Sequence, residues 1–218
     1  MKTSRFSLLL LGLALCAQMP ASAVTLFSAD ITHDQEPGLP GTTPLITTGG
    51  LPRALSFGSA TFILNDAMDA LSFTATIFNI DVTGMQTPND SNDNLIAAHL
   101  HAAAATGGPG TNASVVWGFF GMPANNNNPA DGTMTPFLGA VGGTFTGTWN
   151  APEGNSTNLL AQLGNIFAGR SYINFHTTQF GGGEIRGQVV PEIGSTGMLL
   201  ALGLVGLLGL GRRGRQSV

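Results

Sequence analysis

The sequence predicts an all-β domain, an antiparallel sandwich or Greek-key barrel. Apolar and polar residues alternate with a period of two in several short runs, as half-buried strands require. These runs recur at fairly regular intervals and are bounded by Gly, Asn, Asp and Pro. The 218-residue chain also contains 31 glycines but only 9 % charged residues. That suits many turns and leaves little charge for long solvated helices.

In chain order, "SATFILN" is an early run and "LSFTATIFNI" the clearest. There Leu71, Phe73, Ala75 and Ile77 share one face, while Ser72, Thr74 and Thr76 share the other. "SVVWGFF", "GTFTGTW", "SYINFHT" and "EIRGQVV" add β-branched and aromatic strands. A short helical turn is expected from Asn158 to Asn165, where Leu159, Leu160 and Leu163 fall at helical spacing. "TGMQTPNDSNDNL" and "GMPANNNNPADGTMTP" read as surface loops. Asp90 and Asp93 in the first raise calcium, but the ligand order and closing glutamate of an EF-hand loop are missing. A solvated loop is the plainer reading.

The two ends read as addresses. Lys2 and Arg5 precede an apolar run that begins at Phe6, and Ala21-Ser22-Ala23 offers the small residues that signal peptidase accepts. Residues 1–23 are therefore expected to be a secretory signal peptide, cleaved after Ala23. Leu15 stands before Cys16 where lipoprotein processing needs a small residue. Cleavage after Ala23 leaves no cysteine, so no disulfide can hold the mature chain.

At the other end, residues 193–210 are nearly all apolar or glycine, and Arg212, Arg213 and Arg215 follow. At about 1.5 Å per residue this run just reaches the ~30 Å of a bilayer core. The arginines place the tail on the cytoplasmic side and the body outside. A permanent anchor is one reading. The other comes from the Val190-Pro191-Glu192 opening, the small-residue stretch, the Leu/Gly span and the terminal arginines. Together they resemble the PEP-CTERM sorting signal of exopolysaccharide-producing bacteria, although Ile193 stands where a second proline is usual. That resemblance implies cleavage by an exosortase, and gives a division into 1–23, 25–190 and 191–218.

Between the addresses, three arginines face eleven acids, a net charge of −8 from Asp30 to Arg186. Such a body has no basic patch with which to displace counterions from nucleic acid. No nucleophile motif joins a serine to His and Asp partners, and no Gly-rich phosphate loop follows a strand. Catalysis is not expected.

Two of the four histidines, His99 and His101, sit two residues apart in "AAHLH". If Asn94 to Ala102 is a strand, Ile96, Ala98 and Leu100 point one way and both histidines the other. Two residues span about 6.5 Å in a strand, so both rings can reach one copper or zinc ion. A hairpin of "SYINFHT" with "EIRGQVV" supplies a third. One register pairs His176 with Glu184, Asn174 with Arg186, and Tyr172 with Gln188. All six then share a face, and Glu184 would orient His176 as an outer partner orients a metal ligand. Three readings stay open: a metal site of His99, His101 and His176, a structural polar network, or a small-ligand site. His33, in the Pro/Gly-rich opening, is expected at the surface.

The segment "LLAQLGNIFAGRSYINFHTTQFGGGEIRGQVV" carries a Leu-rich turn, an aromatic-x-Asn-x-His-Thr strand and a Gly-Glu-Ile-Arg-Gly-Gln run. With "AAHLH", "GSATFILN" and "FSADITHDQEPGLP", it resembles the CHRD domain, a family named for chordin and common in exported bacterial proteins. The resemblance implies an immunoglobulin-like or superoxide-dismutase-like β-fold and an extracellular or cell-envelope location. It gives a fold more firmly than a function; the role expected here is non-catalytic, in adhesion, matrix structure or binding, with matrix or exopolysaccharide as the candidate partner. A superoxide-dismutase-like catalyst would need more histidines than the body holds, and the usual disulfide of that fold.

Overall fold

The computed structural model describes residues 24–39, 43–103 and 110–192. The expected signal peptide with Ala21 and Ala23, the apolar span 193–210 and the basic tail lie outside them. Among the described residues no helix is long and apolar enough to cross a membrane.

The chain is all-β and antiparallel. Its strands are β1 (Thr25–Thr32), β2 (Phe57–Leu64), β3 (Ala70–Phe78), β4 (Leu95–Ala102), β5 (Ser114–Gly121), β6 (Thr133–Pro136), β7 (Gly142–Asn150), β8 (Ser171–Thr177) and β9 (Ile185–Pro191). They form one sheet in the order β5-β4-β8-β9-β1-β2-β3-β7-β6. The sheet curls so that its two ends face each other across the core, in place of two separate sheets. Trp117 of β5 stacks on Trp149 of β7 at 5.9 Å, and Phe145 of β7 meets Phe175 of β8 at 5.6 Å. Both indoles find acceptors on Glu153: Trp117 Nε1 donates to its carboxylate at 3.0 Å and Trp149 Nε1 to its carbonyl at 2.8 Å. Large aromatic groups are thus buried without stranding their N–H groups.

The expected strands form, with three corrections. "GMPANNNNPADGTMTP" is not wholly loop, because Thr133–Pro136 pairs with β7 as an edge strand. Three of its four residues are exposed, so no alternation marks it. Ile96 does not share a face with Ala98 and Leu100: a register irregularity between Leu95 and Ala97 leaves it exposed. The helix, α1 (Leu159–Phe167), ends two residues later than expected and is capped by Asn158, whose side chain accepts from Ala161 N at 2.9 Å. It buries Leu159 and Ile166 and exposes Leu160. The last strand runs through Pro191, and Glu192 N donates to Leu26 O, so Val190, Pro191 and Glu192 all lie against the sheet.

Most strands bury one face. On β8 every residue is buried, and on β4 all but Ile96. The second face of this pair carries the candidate site.

Candidate metal centre

The hairpin register predicted from the sequence is present, with Tyr172 opposite Gln188 and Asn174 opposite Arg186. On the other side of β8, His99 pairs with Asn174 and His101 with Tyr172. Alternation then sends His99 and His101 of β4 and His176 of β8 to one face. One nitrogen from each ring lies within 4.8 Å of the other two.

Three loops cover these rings and present carbonyl oxygens to them. His99 Nε2 lies 3.2 Å from Pro123 O, His101 Nδ1 2.9 Å from Ala113 O, and His176 Nδ1 3.1 Å from Gly181 O. A carbonyl only accepts, so each ring carries its proton on the nitrogen facing its carbonyl. Burial holds all three rings below the usual imidazole range, with His101 and His176 pushed down to about 4. They are therefore neutral at pH 7, and the remaining nitrogens carry lone pairs. His99 Nδ1 faces His176 Nε2 at 3.1 Å, while His101 Nε2 is buried without a protein partner. Three lone pairs converge on one place.

Gly118, opposite His99 on β5, allows this crowding. A Cβ there would run into the Ala124 carbonyl and lie 2.9 Å from the His99 ring. The bare backbone lets the loop bearing Pro123 close over the histidine.

Glu184 is not where the sequence put it. The β8–β9 ladder ends at Phe175 and Ile185, and Glu184 turns away from His176. Its carboxylate accepts from Arg53 at 2.7 and 2.5 Å, from Thr177 Oγ1 at 2.6 Å and from Ser56 Oγ. This buried ion pair is the carboxylate's structural commitment, and the Gly181 carbonyl takes the place expected of it beside His176. His33 is also corrected: it is buried, with Nδ1 2.9 Å from Glu184 O and its ring edge-on to Phe180.

Arg186 and Asn174 do flank the cluster. The Arg186 guanidinium lies 3.4 Å over the Tyr172 ring, and Tyr172 stacks on His101 at 4.7 Å and 5°. Arg186 Nη2 donates to Thr111 O at 2.9 Å, and Nη1 has no partner. Glu36 sits near this group, its carboxyl raised by burial against the opposing pull of Arg186 and Asn174. Sequence reasoning missed Glu36, Arg53 and the Tyr172 stack. The carbonyls at Ala113, Pro123 and Gly181 leave no side-chain signal to read.

In the "TGMQTPNDSNDNL" loop the acids are spent on protein donors. Asp90 Oδ1 accepts from Thr48 and Asn92, and Asp81, missed from sequence, accepts from the amides of Thr83, Gly84 and Thr87. Asp93 is buried beside Thr87, so this loop is internally bonded and not merely solvated.

A curled antiparallel sheet with a buried cluster of polar side chains under its loops defines the class, an all-β domain. The CHRD domain matches residues 27–189, and the chain belongs to the CHRD family. Membership supports a non-enzymatic binding role and nothing finer. No curated protein and no solved structure matches the chain.

Proposed function

We propose that this CHRD domain is an exported, non-catalytic metal-binding module, with His99, His101 and His176 as ligands for copper or zinc. One observation carries the reading. Three neutral imidazoles, each tethered by its N–H to a backbone carbonyl, turn their lone pairs toward one another at distances as short as 3.1 Å. Facing lone pairs repel, and a cation between them turns the repulsion into bonding. An ion held about 2.0–2.1 Å from each imidazole puts neighbouring nitrogens roughly 3.3 Å apart in a tetrahedral shell. The carbonyl tethers are the outer contacts that fix tautomer and ring orientation in such sites.

The location belongs to the same proposal. Residues 1–23 direct export through signal peptidase, and residues 191–218 hold the chain at the membrane until an exosortase releases it. The domain then works at the cell envelope or in the extracellular matrix on an immunoglobulin-like or superoxide-dismutase-like scaffold, with exopolysaccharide a candidate partner. Intact mass of the protein recovered from cells tests this. Loss of both ends fits, whereas retained Arg212–Arg215 means a lasting anchor.

Elemental analysis of the purified full chain tests the centre. About one metal ion per chain is expected, lost in His99→Ala/His101→Ala. A metal-free preparation whose melting is the same with added zinc, added copper or chelator would leave only the structural polar network.

A further inference from the structure

We infer that the three-histidine centre is built for copper in its cuprous state, Cu(I), in preference to Cu(II) or zinc; the inference rests on the metal reading above. The first ground is the number of ligands. Among the described residues no fourth His, Cys, Asp or Glu joins the three rings. Residues 104–109, which follow closely after His101, are Ala, Ala, Thr, Gly, Gly and Pro and add none. Zinc on three protein ligands needs a water or substrate to complete its shell of four, and Cu(II) takes tetragonal shells. A monovalent, closed-shell copper ion is satisfied by three nitrogens.

The second ground is charge. All three ligands are neutral, and no carboxylate oxygen of the described residues lies within 4.0 Å of their ring nitrogens, the ion pair formed being Arg53 with Glu184. The fixed charge beside the centre is a cation: Arg186 lies over Tyr172, the ring stacked on His101. Glu36 and Asn174 face that guanidinium. A site of this kind gives a divalent ion no compensating charge.

The third ground is burial. His99, His101 and His176 are 5, 7 and 7 % exposed. The Born cost of taking an ion out of water grows with the square of its charge, so a divalent ion costs roughly four times a monovalent one. Ligand number, charge and burial all favour the ion of lower charge.

The test uses the full chain in detergent, stripped of metal. Cu(I) is titrated without oxygen against a cuprous chelator of the bathocuproine type, Cu(II) and zinc are titrated separately, and the potential of the copper-loaded protein is measured. Cu(I) is expected at one per chain, favoured over Cu(II) at least tenfold relative to the aqueous ions, which places the potential about 59 mV or more above the aqueous couple. Asn174→Asp sets a carboxylate between His99 and Arg186 and is expected to reduce that preference tenfold; should it fail to fold, the wild-type potential decides alone. A centre that binds zinc or Cu(II) as tightly as Cu(I) overturns this inference and leaves the metal reading standing. A chain that takes up none of the three overturns both.

Discussion

On β3 and β7 the residues pointing away from the core are Ser72, Thr74 and Thr76, facing Thr148, Thr146 and Thr144 across the ladder. On β4 and β8 the same alternation brings out His99, His101, Tyr172, Asn174 and His176. The threonine face stands open, and its hydroxyls meet one another, as Ser72 and Thr148 do at 3.1 Å, or water. The histidine face is roofed by loops and buried. Glu36 Oε2, His101 Nε2, Asn174 Oδ1 and Arg186 Nη1 lie there buried and without partners. Each such atom costs on the order of 1–3 kcal/mol. One sheet therefore carries a face that is cheap to keep and a face that is costly to keep. A costly polar face with converging lone pairs is what the proposed metal centre would require, with binding rather than stability selecting the residues.

The comparison breaks most sharply at the buried ion pair that anchors the loops on the histidine side. Glu184→Gln leaves Arg53 buried without its counter-charge and weakens the acceptors of Ser56 and Thr177. Breaking a buried pair from one side costs about 3–5 kcal/mol. In a domain of this size that lowers the melting temperature by roughly 6–20 °C, readable by calorimetry. A loss under 1 kcal/mol would show that the pair is not the anchor.

Acid should separate the two faces next. In the metal-free protein His101 and His176 have folded pKa values near 4, below the 6.5 of the free side chain, and His99 is shifted the same way. The unfolded chain therefore takes up protons first. Their contribution is complete above about pH 6.5 and is lost as pH falls toward 4. By pH 5 each of the two more shifted rings withdraws on the order of 2 kcal/mol. Asp93 works the other way: burial raises it to about 6, so protonation favours the folded state between about pH 6 and 4. Asp93→Asn should remove that offset and steepen the acid loss. Denaturant melts from pH 7 to 5 check both, and a flat profile in both proteins would contradict the burial of the rings.

Much of this contrast was legible in the sequence. Period-two alternation placed Thr74 and His99 on outward faces, and the sum of residue numbers across the last hairpin gave the observed pairing of Asn174 with Arg186. Alternation says which way a side chain leaves the strand, but not whether a loop covers it. His33 was expected at the surface because it stands in the Pro/Gly-rich opening, and composition says as little about cover: it lies buried instead. Glu184 fails for a second reason. It stands one residue past the ladder, where the strand geometry that would have aimed it at His176 no longer applies, and a distant arginine, Arg53, captures it. The partner of a buried charge contributed by a loop 131 residues away leaves no periodic trace. Ile96 was lost to a register irregularity, which shifts one residue without altering composition.

The smallest expected effect completes the comparison from the other side. Thr74 is exposed on β3, opposite Thr146 of β7, and its side chain makes no hydrogen bond among those resolved between described residues. Thr74→Val keeps the β-branched shape and exchanges a solvated hydroxyl for a methyl group, so strand propensity and packing stay nearly constant. Surface changes of this kind fall within about 0.5 kcal/mol, close to the limit of a chemical-denaturation measurement, and metal content should be unchanged. A loss above 1 kcal/mol would mean that the hydroxyl lattice contributes to the fold, and the distinction between an inexpensive face and a costly one would have to be drawn elsewhere in the sheet.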